Sequence, residues 1–111
     1  MIHIIIEDKT AIISINKNII SENVNIFEDK LNYAKRVGSL NFIFDFNNIE
    51  YICSYALDLI TSILKVSIEN GGKIYFCSLS SKLKNLFEVE KILDIVKTAN
   101  NIDKTLSNIN S

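Results

Sequence analysis

The sequence predicts an α/β domain, a mixed and mostly parallel β-sheet of about five strands with helices packed on it, in the order β-β-α-β-α-β-α-β-α. Three observations carry this. Two short β-branched runs open the chain, separated only by the polar link Glu7-Asp8-Lys9-Thr10, which is hairpin spacing. Later apolar runs alternate with stretches of helical period, which calls for right-handed crossovers between parallel strands. The run at residues 40–46 is almost continuously apolar, as a strand covered on both faces must be.

Each element follows in turn. Residues 2–6 and 11–15 form the hairpin, and Ile13-Ser14-Ile15-Asn16 alternates like a half-exposed strand. Ser21 or Asn23 is placed to cap a helix reaching about residue 37, because Val24, Phe27, Leu31 and Ala34 share one face. Gly38 suits the left-handed residue just past its end. The strand at 40–46 carries Asp45 near its carboxyl end, and residues 47–52 form a connection. From Ser54 to about residue 70 the period is helical again, with Ala56, Ile60, Ile63, Leu64 and Ser67 on one stripe and Gly71-Gly72 closing it. Residues 73–77 form the next strand, and Ser80 or Ser81 opens a short helix with Leu83, Leu86 and Phe87 inward. A last short strand is expected at 92–96 and a final helix at 102–109 around Leu106. With no repeats, low-complexity linkers or charge blocks, one domain is expected to cover residues 1–111.

Composition narrows the function. With 48% hydrophobic residues, the 111-residue chain has apolar material for a core without metals or disulfides. Chains of this size bury about two-thirds of their unfolded surface. Twelve basic and thirteen acidic side chains give a net charge of −1, which argues against a nucleic-acid partner, since those are met by a basic face. Two cysteines are too few for a disulfide framework, which points to a reducing cytoplasm. No apolar stretch is long enough to span a membrane, and residues 1–6 lack the basic start of a signal peptide, so a cytoplasmic protein without membrane insertion is expected. Gly38, Gly71 and Gly72 are the three glycines, and no GxGxxG or GxxxxGK pattern exists to cradle a phosphate. Ile and Asn dominate the chain, a bias consistent with an AT-rich genome, so single asparagines are not read as ligands.

The chemistry-bearing residues give little sign of catalysis. His3 is the sole histidine and has no second histidine or cysteine nearby in sequence, so a structural or solvent-facing role is expected. Neither Ser54 nor Cys53 has a motif that supplies the base a nucleophile needs. Cys53 and Cys77 follow strands expected to be neighbours, which would bring the thiols near one another, but without metal-ligand spacing. Glu7, Asp8, Asp45, Ser78 and Lys97 superficially resemble a phospho-acceptor receiver site. Between Asp8 and Asp45 lie one strand and one helix, where that fold needs a further strand and helix, so these are expected to be strand-end groups meeting solvent. No catalytic residue, cofactor or metal site is predicted, and the chain is expected not to be an enzyme.

The stretch Phe44-Asp45-Phe46-Asn47-Asn48-Ile49-Glu50-Tyr51-Ile52 resembles the strand and loop before the switch helix of the STAS family, the bacterial anti-sigma factor antagonists. Gly71-Gly72-Lys73-Ile74-Tyr75-Phe76-Cys77-Ser78-Leu79-Ser80 is similar to the family's glycine-pair strand and following serine, and Lys82-Leu83-Lys84-Asn85-Leu86-Phe87 to its next helix. The likeness covers nearly the whole chain in order and spacing.

That resemblance implies a non-catalytic interaction module in transcription regulation and signal transduction, acting on a sigma factor. Its partner would be an anti-sigma factor that is also a serine kinase-like protein. Family switch helices open with a motif like Asp-Ser-Ser-Gly-Leu-Gly, whose second serine the partner phosphorylates. In this chain the stretch reads Cys53-Ser54-Tyr55-Ala56-Leu57-Asp58. Ser54 and Leu57 are kept, whereas Cys53, Tyr55, Ala56 and Asp58 replace the acid, the phosphorylated serine and the two glycines. The family's early Gly-x-x-Asp falls on Lys17-Asn18-Ile19-Ile20 and is not kept. The implied partner-binding residues are Cys53, Ser54, Tyr55, Ala56 and Asp58, with the phospho-switch degenerate. Ser54 is a candidate phosphate acceptor, with the alternative role of helix N-cap. The alternative function is a non-catalytic STAS subunit of a lipid-transport or signalling complex. Oligomeric state is left open.

Overall fold

The computed structural model describes residues 2–99. Their elements are β1 (Ile2–Glu7), β2 (Thr10–Ile15), α1 (Val24–Arg36), β3 (Asn41–Asp45), α2 (Ser54–Glu69), β4 (Ile74–Cys77), α3 (Ser81–Val89), a 3-10 turn (Ile92–Asp94) and β5 (Lys97–Ala99). The five strands lie in chain order, β1-β2-β3-β4-β5. β1 pairs antiparallel with β2, and the remaining pairings are parallel. A sheet that advances in one direction through right-handed crossovers must carry all of those crossover helices on one face. Accordingly α1, α2 and α3 all contribute to one large core against β1–β4.

The predicted stripes are the buried ones. α1 buries Val24, Phe27, Leu31 and Ala34, and α2 buries Ala56, Ile60, Ile63, Leu64 and Ser67. All six phenylalanines of the sequence join this core. Phe44 lies 5.7 Å edge-on to Phe76 and 6.4 Å from Phe27, while Phe87 sits 4.9 Å from Phe76 and 5.5 Å from Phe46. Such ring pairs add about 0.5–1.5 kcal/mol each beyond area burial. On the opposite face Ile12, Ile43, Tyr75 and Cys77 form a smaller buried cluster. Residues 42 to 44 are therefore buried on both sides, which is why the run reads as continuously apolar.

Glycine placement follows backbone need. Gly38 and Gly71 take φ of 82° and 81° just past α1 and α2. At Gly72 a Cβ would collide with the Leu40 carbonyl. The same carbonyl accepts a 2.6 Å bond from Ser67 Oγ, which satisfies the one buried polar residue of α2.

The structure corrects the last strand. Residues 92–96 do not form it, because Ile92–Asp94 is a 3-10 turn and the strand is Lys97–Ala99. Lys91, left-handed at φ 59°, ends α3, and the Ile95 N–H then closes on Ile92 O at 3.1 Å. A short apolar run without alternation does not distinguish a strand from a turn anchored by one buried residue, here Ile92. The helix expected at 102–109 lies outside the described residues.

Candidate functional site

The loops after β2 and β3, at the carboxyl ends of those strands, are zipped together just ahead of α2. Ile19 and Ile52 form a parallel bridge, with the Ile19 N–H donating to Tyr51 O at 3.2 Å and the Cys53 N–H to Ile19 O at 2.8 Å. Asn18 completes the tie. Its Oδ1 accepts from the Glu50 N–H at 3.0 Å and the Tyr51 N–H at 3.2 Å, and its own carbonyl accepts from Asn23 Nδ2 at 3.0 Å. Asn23 holds the expected N-cap position of α1, but its Oδ1 accepts from the Ile20 N–H at 2.8 Å and makes no capping bond, so its side chain braces the loop.

The second loop is anchored from the other side. Asn47 and Asn48 adopt left-handed φ of 49° and 60°, a conformation asparagine tolerates. Asn47 Nδ2 donates to Ile15 O at 3.1 Å, and the Asn48 N–H donates to Ser78 O at 2.8 Å. Ser80 Oγ donates to Ile49 O at 2.7 Å while accepting from the Leu83 N–H at 3.2 Å, so one side chain caps α3 and holds the loop leading to α2.

This scaffold presents the first turn of α2. Cys53, not Ser54, occupies the cap position with φ −74° and ψ 164°, and its side chain makes no capping bond. Ser54 is the first helical residue and is exposed, so the expected N-cap role is corrected. The register explains why, since Cys53 takes the extended backbone that follows the Ile19–Ile52 bridge, so the helix begins at Ser54, one residue earlier than a Ser54 cap would start it. Tyr55 is 47% exposed, and its hydroxyl donates a 2.7 Å bond to Glu28 Oε2 of α1. That bond, followed by local burial and the Glu28 charge, raises the Tyr55 pKa above its usual value. Asp58 is exposed four residues after Ser54, on the same side of the helix. Ala56 points the other way and is fully buried, so it supports the surface from beneath.

The loop bridge ahead of α2 carries two exposed residues that the sequence did not single out. Ile20 and Tyr51 flank the loop bridge and are 37% and 52% exposed. With Tyr55 they are three of the large hydrophobic side chains exposed among the described residues. Acidic Glu28, Glu50 and Asp58 belong to the same end, with Glu50 paired to Lys82 at 3.1 Å.

Other chemistry-bearing residues are dispersed. His3 lies exposed on β1, opposite Ser14. Cys53 packs at the edge of the helix-side core whereas Cys77 is buried in the opposite cluster, so the expected proximity of the thiols is corrected and no disulfide joins them. Register separates the acids: Glu7 pairs with Thr10 at one end of the sheet, while Asp45 pairs with Ser14 and Cys77 at the other. Among the described residues no group of three or more His, Cys, Asp or Glu could hold a metal ion, and no helix is long and apolar enough to cross a membrane.

The STAS domain family model matches residues 2–105, nearly the whole chain. The chain belongs to the STAS domain family. The STAS fold is equally plain in solved structures. A candidate anti-sigma factor antagonist of Thermotoga maritima is 22% identical, with 99% of this chain and 95% of that chain covered at a TM-score of 0.85. An anti-sigma-factor antagonist (STAS) domain protein of Planctomyces limnophilus is 17% identical, covering 99% and 98% at 0.82. The Bacillus cell fate determinant SpoIIAA in its phosphorylated form is 13% identical, covering 98% and 99% at 0.79. A search of curated proteins returns no match.

Proposed function

We propose that this STAS domain is an anti-sigma factor antagonist-like interaction module, cytoplasmic and without catalytic activity. It docks an anti-sigma factor of serine kinase-like type through the start of α2. The observation that carries this is the exposed Ile20–Tyr51–Tyr55 surface, set on two hydrogen-bonded loops. Partners are commonly anchored by a few aromatic side chains on a preformed surface. Cys53, Ser54, Tyr55 and Asp58 provide the contacts, and Ala56 fixes the helix that bears them. With Glu28, Glu50 and Asp58 at the margin, the matching partner surface is an apolar groove with a basic rim.

The phospho-switch is degenerate at Tyr55, and Ser54 is the remaining acceptor. Its hydroxyl is exposed and makes no hydrogen bond among the described residues. A phosphate there would meet the N–H groups of the first turn but also the Asp58 carboxylate one turn on, which opposes it. Asp58 thereby supplies part of the charge that phosphorylation would add.

The test is calorimetric titration against a kinase-like anti-sigma factor from the same organism. Tyr55→Ala should weaken binding at least about tenfold, as loss of an anchor does. Replacing Tyr55 by Ser together with Asp58 by Gly should shift affinity and permit phosphotransfer. Binding that Tyr55→Ala leaves untouched would remove α2 as the docking site.

A further inference from the structure

We propose that a second copy of this chain docks edge to edge on β1, joining two sheets about a two-fold axis at Ile5. Among the described residues β1 is the terminal strand of the sheet, and its pairing with β2 is unbroken from Ile2–Ile15 to Glu7–Thr10. The two-residue link Asp8-Lys9 makes Glu7–Thr10 a hydrogen-bonded pair, so Glu7, Ile5 and His3 spend their backbone bonds on β2. The N–H and C=O groups of Ile2, Ile4 and Ile6 are left facing outward. Edge strands are usually blunted by lysine, proline or a bulge. β1 carries none of these, and its middle residue Ile5 is 58% exposed.

Charge selects the occupant and the register. The start of β1 borders a groove of about 390 Å³ lined by Ile2, His3, Lys17, Asn23, Ile26 and Lys30. Its rim is basic, through Lys17 and Lys30. The far end of the same strand carries Glu7 and Asp8, with Lys9 after them, and is acidic by one net charge. Antiparallel pairing of two β1 strands centred on Ile5 sets Ile4 against Ile6 of the second copy, with both backbone bonds made between them. It also sets His3 against Glu7 of the second copy and brings that copy's Asp8 to the basic groove. Each complementary contact occurs twice, as two-fold symmetry requires. A register centred on Ile4 would instead place His3 opposite Ile5 and forgo the charge match. None of Cys53, Ser54, Tyr55, Ala56 or Asp58 lines this groove, so the docking surface on α2 is separate from it.

Sedimentation equilibrium of the full chain tests this. A reversible dimer is expected, weakened by salt because part of the match is ionic. Ile5→Lys sets like charges opposite one another at the axis and should raise the dissociation constant at least about tenfold while leaving the circular dichroism unchanged, since Ile5 is exposed. The register is read by crosslinking in a Cys53→Ser background. Ile5→Cys should form an intermolecular disulfide on oxidation, because directly opposed strand residues lie within disulfide reach. His3→Cys should not, being opposite Glu7. A chain that remains monomeric to millimolar concentration, a dimer indifferent to Ile5→Lys, or a crosslink through His3→Cys in place of Ile5→Cys overturns the proposal.

Discussion

Removing one acceptor atom, Asn18 Oδ1, should loosen the whole approach to α2. It is the shared partner of two backbone N–H groups, those of Glu50 and Tyr51, on a loop distant in sequence. A typical internal hydrogen bond contributes about 0.5–1.5 kcal/mol net, so two give about 1–3 kcal/mol. The site is exposed, water replaces part of the loss, and Asn18→Ala should therefore cost about 1–2 kcal/mol. For a domain of this size that corresponds to a fall of about 5–10 °C in Tm. Asn18→Asp keeps an acceptor in the same place and should stay within about 0.5 kcal/mol of the parent. Urea and thermal unfolding give the energies, and hydrogen exchange gives the location. In Asn18→Ala the amides of Glu50, Tyr51 and Cys53 should exchange faster, whereas those of β3 should not. If Asn18→Ala matches the parent in stability, or Asn18→Asp is as damaging as Ala, the loops are held by something other than this side chain.

Capping makes a second contrast: Ser80→Ala should cost about 1–2 kcal/mol, since it removes both the α3 cap and the bond to Ile49, while Ser54→Ala should change denaturant stability by less than about 0.5 kcal/mol. Gly72→Ala should destabilise by about 1–3 kcal/mol, because a methyl there displaces the Leu40 carbonyl and disturbs its bond from Ser67. The Tyr55 pKa is raised in the folded chain, so its stabilising share is complete below the unfolded value near 10 and fades as pH climbs through the folded value. Thermal melts above pH 10 should thus fall more steeply for the parent than for Tyr55→Phe, and parallel curves would deny the bond to Glu28.

Most of the fold was legible because its signals are periodic. The stripe on α2 reads directly from spacing, and β3 from its unbroken apolar run, since burial on both faces leaves no polar alternation. Left-handed Gly38 and Gly71 mark helix ends for the same steric reason that made them recognisable. What sequence hid was tertiary. The place of Ser54 depends on a bridge between Ile19 and Ile52, thirty-three residues apart, which no local pattern records. The asparagines were discounted as compositional bias, yet Asn18, Asn23 and Asn47 tie the loops, because their amides reach backbone groups that only the folded chain brings near. Likewise Ile20 and Tyr51 look like core residues in sequence, and only their exposure reveals them as surface.

Strand order that repeats chain order has a consequence for how the domain comes to be. No strand is inserted between two that precede it, so each helix–strand unit can settle on the free edge left by the one before. The β1–β2 pairing is local in sequence, and each of β3, β4 and β5 pairs with the strand before it across a single crossover. Synthesis delivers residues from the amino terminus in that same sequence. An order of this kind lets every pairing among the described strands form as soon as its second strand is made, with none to be undone for a later one.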